Sequence, residues 1–159
     1  MKPAAITAAA LLAGCSMHMG DLSDSGIYTV THDNGGEAQA EYLKWQERSK
    51  TAKGFVIDGA CISSCAHFVM GGRTCYTENA RIGMHPATYG LVVRTEFTRR
   101  FDQMILDSWP EGLQRLWADK VPEPDFGAGL IGYDATIEVL REYWPEGECK
   151  PGFFDEVQS

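Results

Sequence analysis

This sequence is short of positive charge. Its 14 Lys and Arg residues stand against 22 Asp and Glu, for a net charge of −8 over 159 residues. No basic patch with interleaved aromatics is present, which argues against nucleic acid as a partner and against docking on an anionic lipid surface. Low-complexity runs and long repeats are also missing; the twice-occurring Trp-Pro-Glu-Gly, at Trp109–Gly112 and Trp144–Gly147, reads as turn chemistry. The apolar stretch Ala4–Ala13 is too short to span a bilayer. With 44% apolar residues, the chain has enough material for one globular core.

The N-terminus reads as an address label. Lys2 supplies a minimal positive region, and the apolar stretch ends in Leu12-Ala13-Gly14-Cys15, which resembles a bacterial lipobox. Small residues there let the chain enter a peptidase site, and Cys15 becomes the acylated first residue. The alternative is an ordinary secretory signal followed by an unrelated cysteine. On the lipobox reading, residues 1–14 are a signal peptide, 15–25 a lipid-anchored polar tether and 26–159 a single folded domain. Ser16 after the cysteine resembles the outer-membrane sorting pattern, so the expected place is the cell envelope, on the periplasmic face of the outer membrane, held by lipid on Cys15. The Met17-His18-Met19 triplet is not read as a metal site, and no metal or cofactor is expected.

Four further cysteines remain: Cys61, Cys65, Cys75 and Cys149. In an exported chain they imply two disulfides, with the pairing open. Two competing readings use the same residues: a zinc site from Cys61, Cys65, His67 and Cys75, or Cys65 as a catalytic thiolate. Along the chain, Gly26–Thr31 reads as a strand and Glu37–Arg48 as a helix, with the apolar positions Ala38, Tyr42 and Trp45 recurring at helical spacing. Gly54–Asp58 reads as a buried strand and Ala80–His85 as a further strand. Phe97, Phe101, Met104 and Ile105 form the inward stripe of the next helix. Ser108–Glu111 reads as a capping box for a helix bearing Leu113, Leu116 and Trp117. A last helix starts at Asp134, as its N-cap, with Ile137, Leu140 and Trp144 inward. Alternating strands and helices predict an α/β domain.

Chemistry concentrates in Asp58–Gly72, "DGACISSCAHFVMGG". A strand, a tight turn over Gly59–Ser63 and an apolar helix starting at Ser64 would hold a side chain at the carboxyl end of a strand, with amides aimed at whatever binds there. Ser64 reads either as a helix cap or as a nucleophile, with the next amide, of Cys65, serving an oxyanion. The Gly-x-Ser-x-Gly elbow is absent, since Ile62 and Ala66 occupy the glycine positions. His85 ends a strand where a base could meet Ser64, whereas His67 reads as a packing or surface histidine. Asn34-Gly35-Gly36 closes the earlier strand with bare backbone.

The order strand, Gly-Gly, helix, strand, Ser-Ser-Cys, Gly-Gly and then Asn79–Pro86, "NARIGMHP", is similar to the Clp-protease/crotonase superfamily, particularly its exported ClpP-like members. The resemblance covers roughly Ile27–Pro86, with a looser match to about Leu140, and implies a repeated β-β-α spiral. It further implies a Ser64-His85-Asp125 triad, oxyanion donors at Gly35, Gly36 and Cys65, and a peptide or other acyl substrate. The segment between nucleophile and base is a few residues shorter than usual in ClpP. A homo-oligomer is compatible with the family, but the long helix that helps ClpP rings assemble is not recognisable. The expected activity is that of a membrane-anchored serine hydrolase acting as a peptidase. The alternative is a non-catalytic envelope lipoprotein acting as a binding module.

Overall fold

The β-branched and aromatic run Ile27–Asp33 and the apolar run beginning at Gly54 build two neighbouring strands joined by a helix. The computed structural model describes residues 18–71, 73–88, 95–123 and 132–155. Its elements are β1 (His18–Leu22), β2 (Ile27–Asp33), α1 (Ala38–Ser49), β3 (Gly54–Ile62), α2 (Ser64–Val69), β4 (Thr74–Tyr76) and β5 (Arg81–Met84), then α3 (Glu96–Leu106), α4 (Glu111–Lys120), β6 (Tyr133–Ala135) and α5 (Ile137–Tyr143). Pro145–Gly147, from the second Trp-Pro-Glu-Gly, forms one 3₁₀ turn. The expected α/β class is observed, as one body built on a six-stranded mixed sheet.

The sheet runs β1-β2-β3-β5-β6, with β4 also bonded to β3. β2, β4 and β5 lie parallel to β3, while β1 and β6 are antiparallel additions at the two ends. β3 has nine residues and carries two neighbours on one edge. Phe55–Ile57 pairs with Thr74–Tyr76, and Ala60–Ile62 pairs with Arg81–Gly83. β4 and β5 therefore lie end to end, with the turn between them stitched to β3 where Thr77 Oγ1 and Asn79 Nδ2 donate to Asp58. Gly59 is required here: a Cβ would collide with the Thr31 carbonyl, beside an irregularity in the β2–β3 register.

Val30, Ile57 and Ile82 of the sheet meet Val69, Leu113, Leu116 and Leu140 of the helices in the core. Burying each such side chain stabilises the fold by about 1.5–3 kcal/mol. Tyr28, Trp45 and Phe55 make an edge-on aromatic cluster between α1 and the sheet. The described cysteines form two disulfides, Cys61–Cys65 and Cys75–Cys149. Among the described residues, no helix is long and apolar enough to cross a membrane.

Several local expectations are corrected. Residues 18–22, read as part of a tether, form β1 against β2. Ser108 does not cap α4: its hydroxyl donates to the Ile105 carbonyl at the end of α3, and α4 begins after Pro110. Asp134 is not a helix cap either; it lies on β6, paired with Arg81, and Thr136 precedes α5. Phe97 and Met104 point to solvent rather than inward, at 73% and 61% exposed.

Candidate active site

The strand of the opening motif runs further than its apolar residues suggest. β3 continues through Gly59-Ala60-Cys61-Ile62, and the whole reversal into α2 falls on one residue, Ser63. Its backbone takes φ 59° and ψ −127°, and no other described non-glycine residue has a positive φ. Holding an L residue there costs on the order of 1–3 kcal/mol and persists only where surroundings enforce it. Three features do so. The Ser63 N–H donates to the Gly83 carbonyl of β5 at 2.8 Å, and its carbonyl accepts from the His67 N–H at 3.2 Å. The Cys61–Cys65 disulfide closes a small loop whose midpoint is Ser63.

His85 follows β5, and the register Cys61 with Ile82 and Ile62 with Gly83 brings it level with this turn. Its Nε2 lies 2.7 Å from Ser63 Oγ. On the other side of the ring, Nδ1 lies 3.1 Å from the Pro86 carbonyl oxygen. A carbonyl can only accept, so Nδ1 carries the proton and the Nε2 lone pair accepts from the Ser63 hydroxyl. This is the tautomer a general base requires.

The hydroxyl that meets His85 thus belongs to Ser63, where the sequence reading had Ser64. α2 does start at Ser64, but the residue that projects over a strand-to-helix reversal is the one in the reversal itself. Ser64 is buried and turned away: its Oγ accepts from the Gly36 N–H at 2.8 Å and donates to the Gly36 carbonyl at 3.0 Å. The amides of the Gly-Gly turn are engaged rather than open. Gly36 donates to Ser64, and Gly35 donates to the buried carboxylate of Asp33, which also holds Lys44. Gly35 has φ +70°, and a Cβ on it would strike Ser64, so the turn and the start of α2 fit only with glycine there.

Cys65 contributes its backbone to the first turn of α2, next to the amide of Ser64, while its sulfur is bonded to Cys61. The sulfurs of Cys61, Cys65 and Cys75 are all in disulfides, which removes them from the zinc and thiolate readings. His67 is a buried histidine, not a surface one. Its Nε2–H donates to the His85 carbonyl, and its ring packs against those of His85, Phe101, Trp109 and Trp117. Burial, and then proximity to His85, pushes its pKa down to about 4. In Asn79–Pro86, Asn79 and Arg81 serve the fold through Asp58 and Asp134. Asp125 and Cys15 lie outside the described residues.

A cleft of about 440 Å³ opens over the pair, lined by Gly36, Ala38, Ser63, His85, Thr88 and Phe101 among others. It continues into an apolar trough between α1 and α3, walled by Tyr42, Phe97 and Phe101. The midpoint of the Cys61–Cys65 loop singles out Ser63 only once that pairing is known, and the sequence left the pairing open. No family model matches the sequence, and no curated protein matches it.

Proposed function

We propose that this chain is a serine hydrolase working by acyl transfer in the manner of the ClpP/crotonase superfamily, with Ser63 as nucleophile and His85 as base. The observation that carries this reading is the hydroxyl of a strained residue, 2.7 Å from the Nε2 of a histidine whose Nδ1 faces a carbonyl, beneath a cleft. Ser63 Oγ bonds to the substrate carbonyl carbon as its proton passes to His85 Nε2. That proton then leaves with the amine or alcohol when the acyl bond breaks. Water repeats the sequence on the acyl-enzyme and frees Ser63. The amides that open α2, of Ser64 and Cys65, are assigned the oxyanion. Gly35 and Gly36 are assigned the wall behind it, because their own N–H groups are engaged.

The parallel pairing of β2, β3 and β5, with crossovers through α1 and α2, supports the superfamily's repeated spiral as the parent architecture. The apolar trough supports a peptide or other acyl substrate with an apolar group beside the scissile bond. Disulfides support an oxidising compartment, in keeping with an envelope protein anchored through Cys15. The role given to Asp125 rests on the resemblance alone, since a described carbonyl already faces His85 Nδ1. A cleft over Ser63 and His85 that the described residues leave unfilled supports the enzyme over the non-catalytic module, in which that groove would be filled.

A fluorophosphonate probe tests the assignment. The wild-type protein is expected to label, Ser63→Ala to lose labelling entirely, and Ser64→Ala to keep it within about tenfold while losing about 1 kcal/mol of stability with its Gly36 hydrogen bonds. Undiminished labelling of Ser63→Ala removes Ser63 as nucleophile. A wild-type protein that does not label favours the binding module.

A further inference from the structure

A histidine base works only if the nitrogen remote from the nucleophile is anchored. In this chain that anchor, the Pro86 carbonyl, is one end of a peptide group whose other end is the Ala87 N–H. That N–H donates to both carboxylate oxygens of Asp102, at 3.0 and 3.1 Å. Asp102 is 4% exposed and lies on the inner face of α3, a helix fixed at its start by the reciprocal Thr95–Thr98 capping box. The chain of contacts is therefore Ser63 hydroxyl, His85 imidazole, Pro86–Ala87 peptide, Asp102 carboxylate.

We propose that Asp102 is a positioning residue which acts on His85 through the Pro86–Ala87 peptide, doing at one remove what a triad carboxylate does by contact. A negative charge at the N–H end of an amide draws its electrons toward the carbonyl oxygen, and hydrogen bonds in series strengthen one another. The Pro86 oxygen becomes a stronger acceptor, Nδ1 keeps its proton, and the Nε2 lone pair stays on Ser63. His67 holds the preceding carbonyl, that of His85 itself, so the base is gripped on both sides by helices of the core. The inference rests on the hydrolase reading for its kinetic consequence, but not for its structural one.

The structural consequence is read by ¹⁵N NMR of the histidine rings in the wild-type protein at neutral pH. His85 is expected as the Nδ1–H tautomer, and an Nε2–H signal overturns the proposal without any variant. Asp102→Asn keeps the size and one acceptor oxygen but removes the charge. It is expected to mix the His85 tautomers and to slow the maximal fluorophosphonate reaction of Ser63 on the order of ten- to a hundredfold, with half-saturating probe concentration unchanged. Full reactivity together with an unmixed His85 signal in Asp102→Asn overturns the proposal. So does a loss of rate matched by weaker probe binding and a lowered Tm, the pattern of a merely structural residue. Labelling that survives in Ser63→Ala, or is absent in wild type, instead marks failure of the hydrolase reading and leaves the NMR result to decide the Asp102 proposal.

Discussion

His67 lies beneath the base with its ring enclosed by Phe101, Trp109 and Trp117, and its backbone carbonyl takes the Trp109 indole N–H. Enclosure keeps it neutral: its pKa falls from 6.5 to about 4. The folded state thus refuses a proton that the unfolded chain accepts. Stability is complete above the unfolded value, declines as pH falls through 6.5, and reaches its full loss near pH 4. The size of that loss is on the order of 3 kcal/mol. Urea denaturation at pH 7 and pH 4.5 should show a smaller decline in His67→Gln, which keeps a donor for the His85 carbonyl without a titrating ring. An equal decline in both proteins would dismiss His67 as the acid-sensitive group. At this scale the sequence made the residue types legible but not their facing. Ser63 and Ser64 are chemically identical neighbours, and only the reversal of the backbone at Ser63 separates a projecting hydroxyl from a buried one.

α3 shows the same limit for an element. The apolar stripe Phe97, Phe101, Met104 and Ile105 locates the helix correctly, yet the residues it buries are Thr98, Asp102 and Ile105. Periodicity finds a helix, but what lies beneath chooses its inner face. Here the underlying groups are the polar Ala87 amide and the helix's own Thr95 cap, so two of the buried positions are polar. Phe97 and Met104 are left facing outward, with Phe97 on the wall of the trough. Phe97→Ser should accordingly change thermal stability by no more than about 0.5 kcal/mol, whereas Ile105→Ala should cost about 2–5 kcal/mol. Calorimetry of the two variants separates the cases, and a costly Phe97→Ser would mean that the helix is turned. β2, β3 and β5 were legible from their short β-branched or apolar runs, whereas β1, β4 and β6 were not read as strands, and the overextension of β3 through Gly59-Ala60 was hidden by residues with little strand preference.

For the whole molecule, the disulfides act over different lengths of chain. Cys75–Cys149 spans 74 positions and ties β4 to the segment after α5, whereas Cys61–Cys65 spans 4. Loop-closure entropy makes the first worth about 4 kcal/mol and the second about 2 kcal/mol. Replacing Cys75 and Cys149 by serine should lower Tm more than replacing Cys61 and Cys65. The second replacement should cut fluorophosphonate labelling out of proportion to its effect on Tm, because it loosens the turn that presents Ser63. Labelling unaffected by that change would leave the hydrogen bonds to Gly83 and His67 as the supports of the turn. With Cys15 set aside, the four remaining cysteines of an exported chain implied two bridges, but their pairing depended on β4 meeting β3 and the chain end, a non-local fact that no local spacing encodes.

β3 also sets the metrology of the site. Its Asp58 clamps the turn that starts the run to His85, and the strand itself continues to Ser63, so both arms are measured from one zero mark. Substitutions along either arm that spare Gly59 and Gly83 leave the residue count, and with it the gauge, intact. Inserting or deleting one residue on one arm alone moves its tip by about 3.3 Å relative to the other, more than the whole length of the bond between hydroxyl and imidazole.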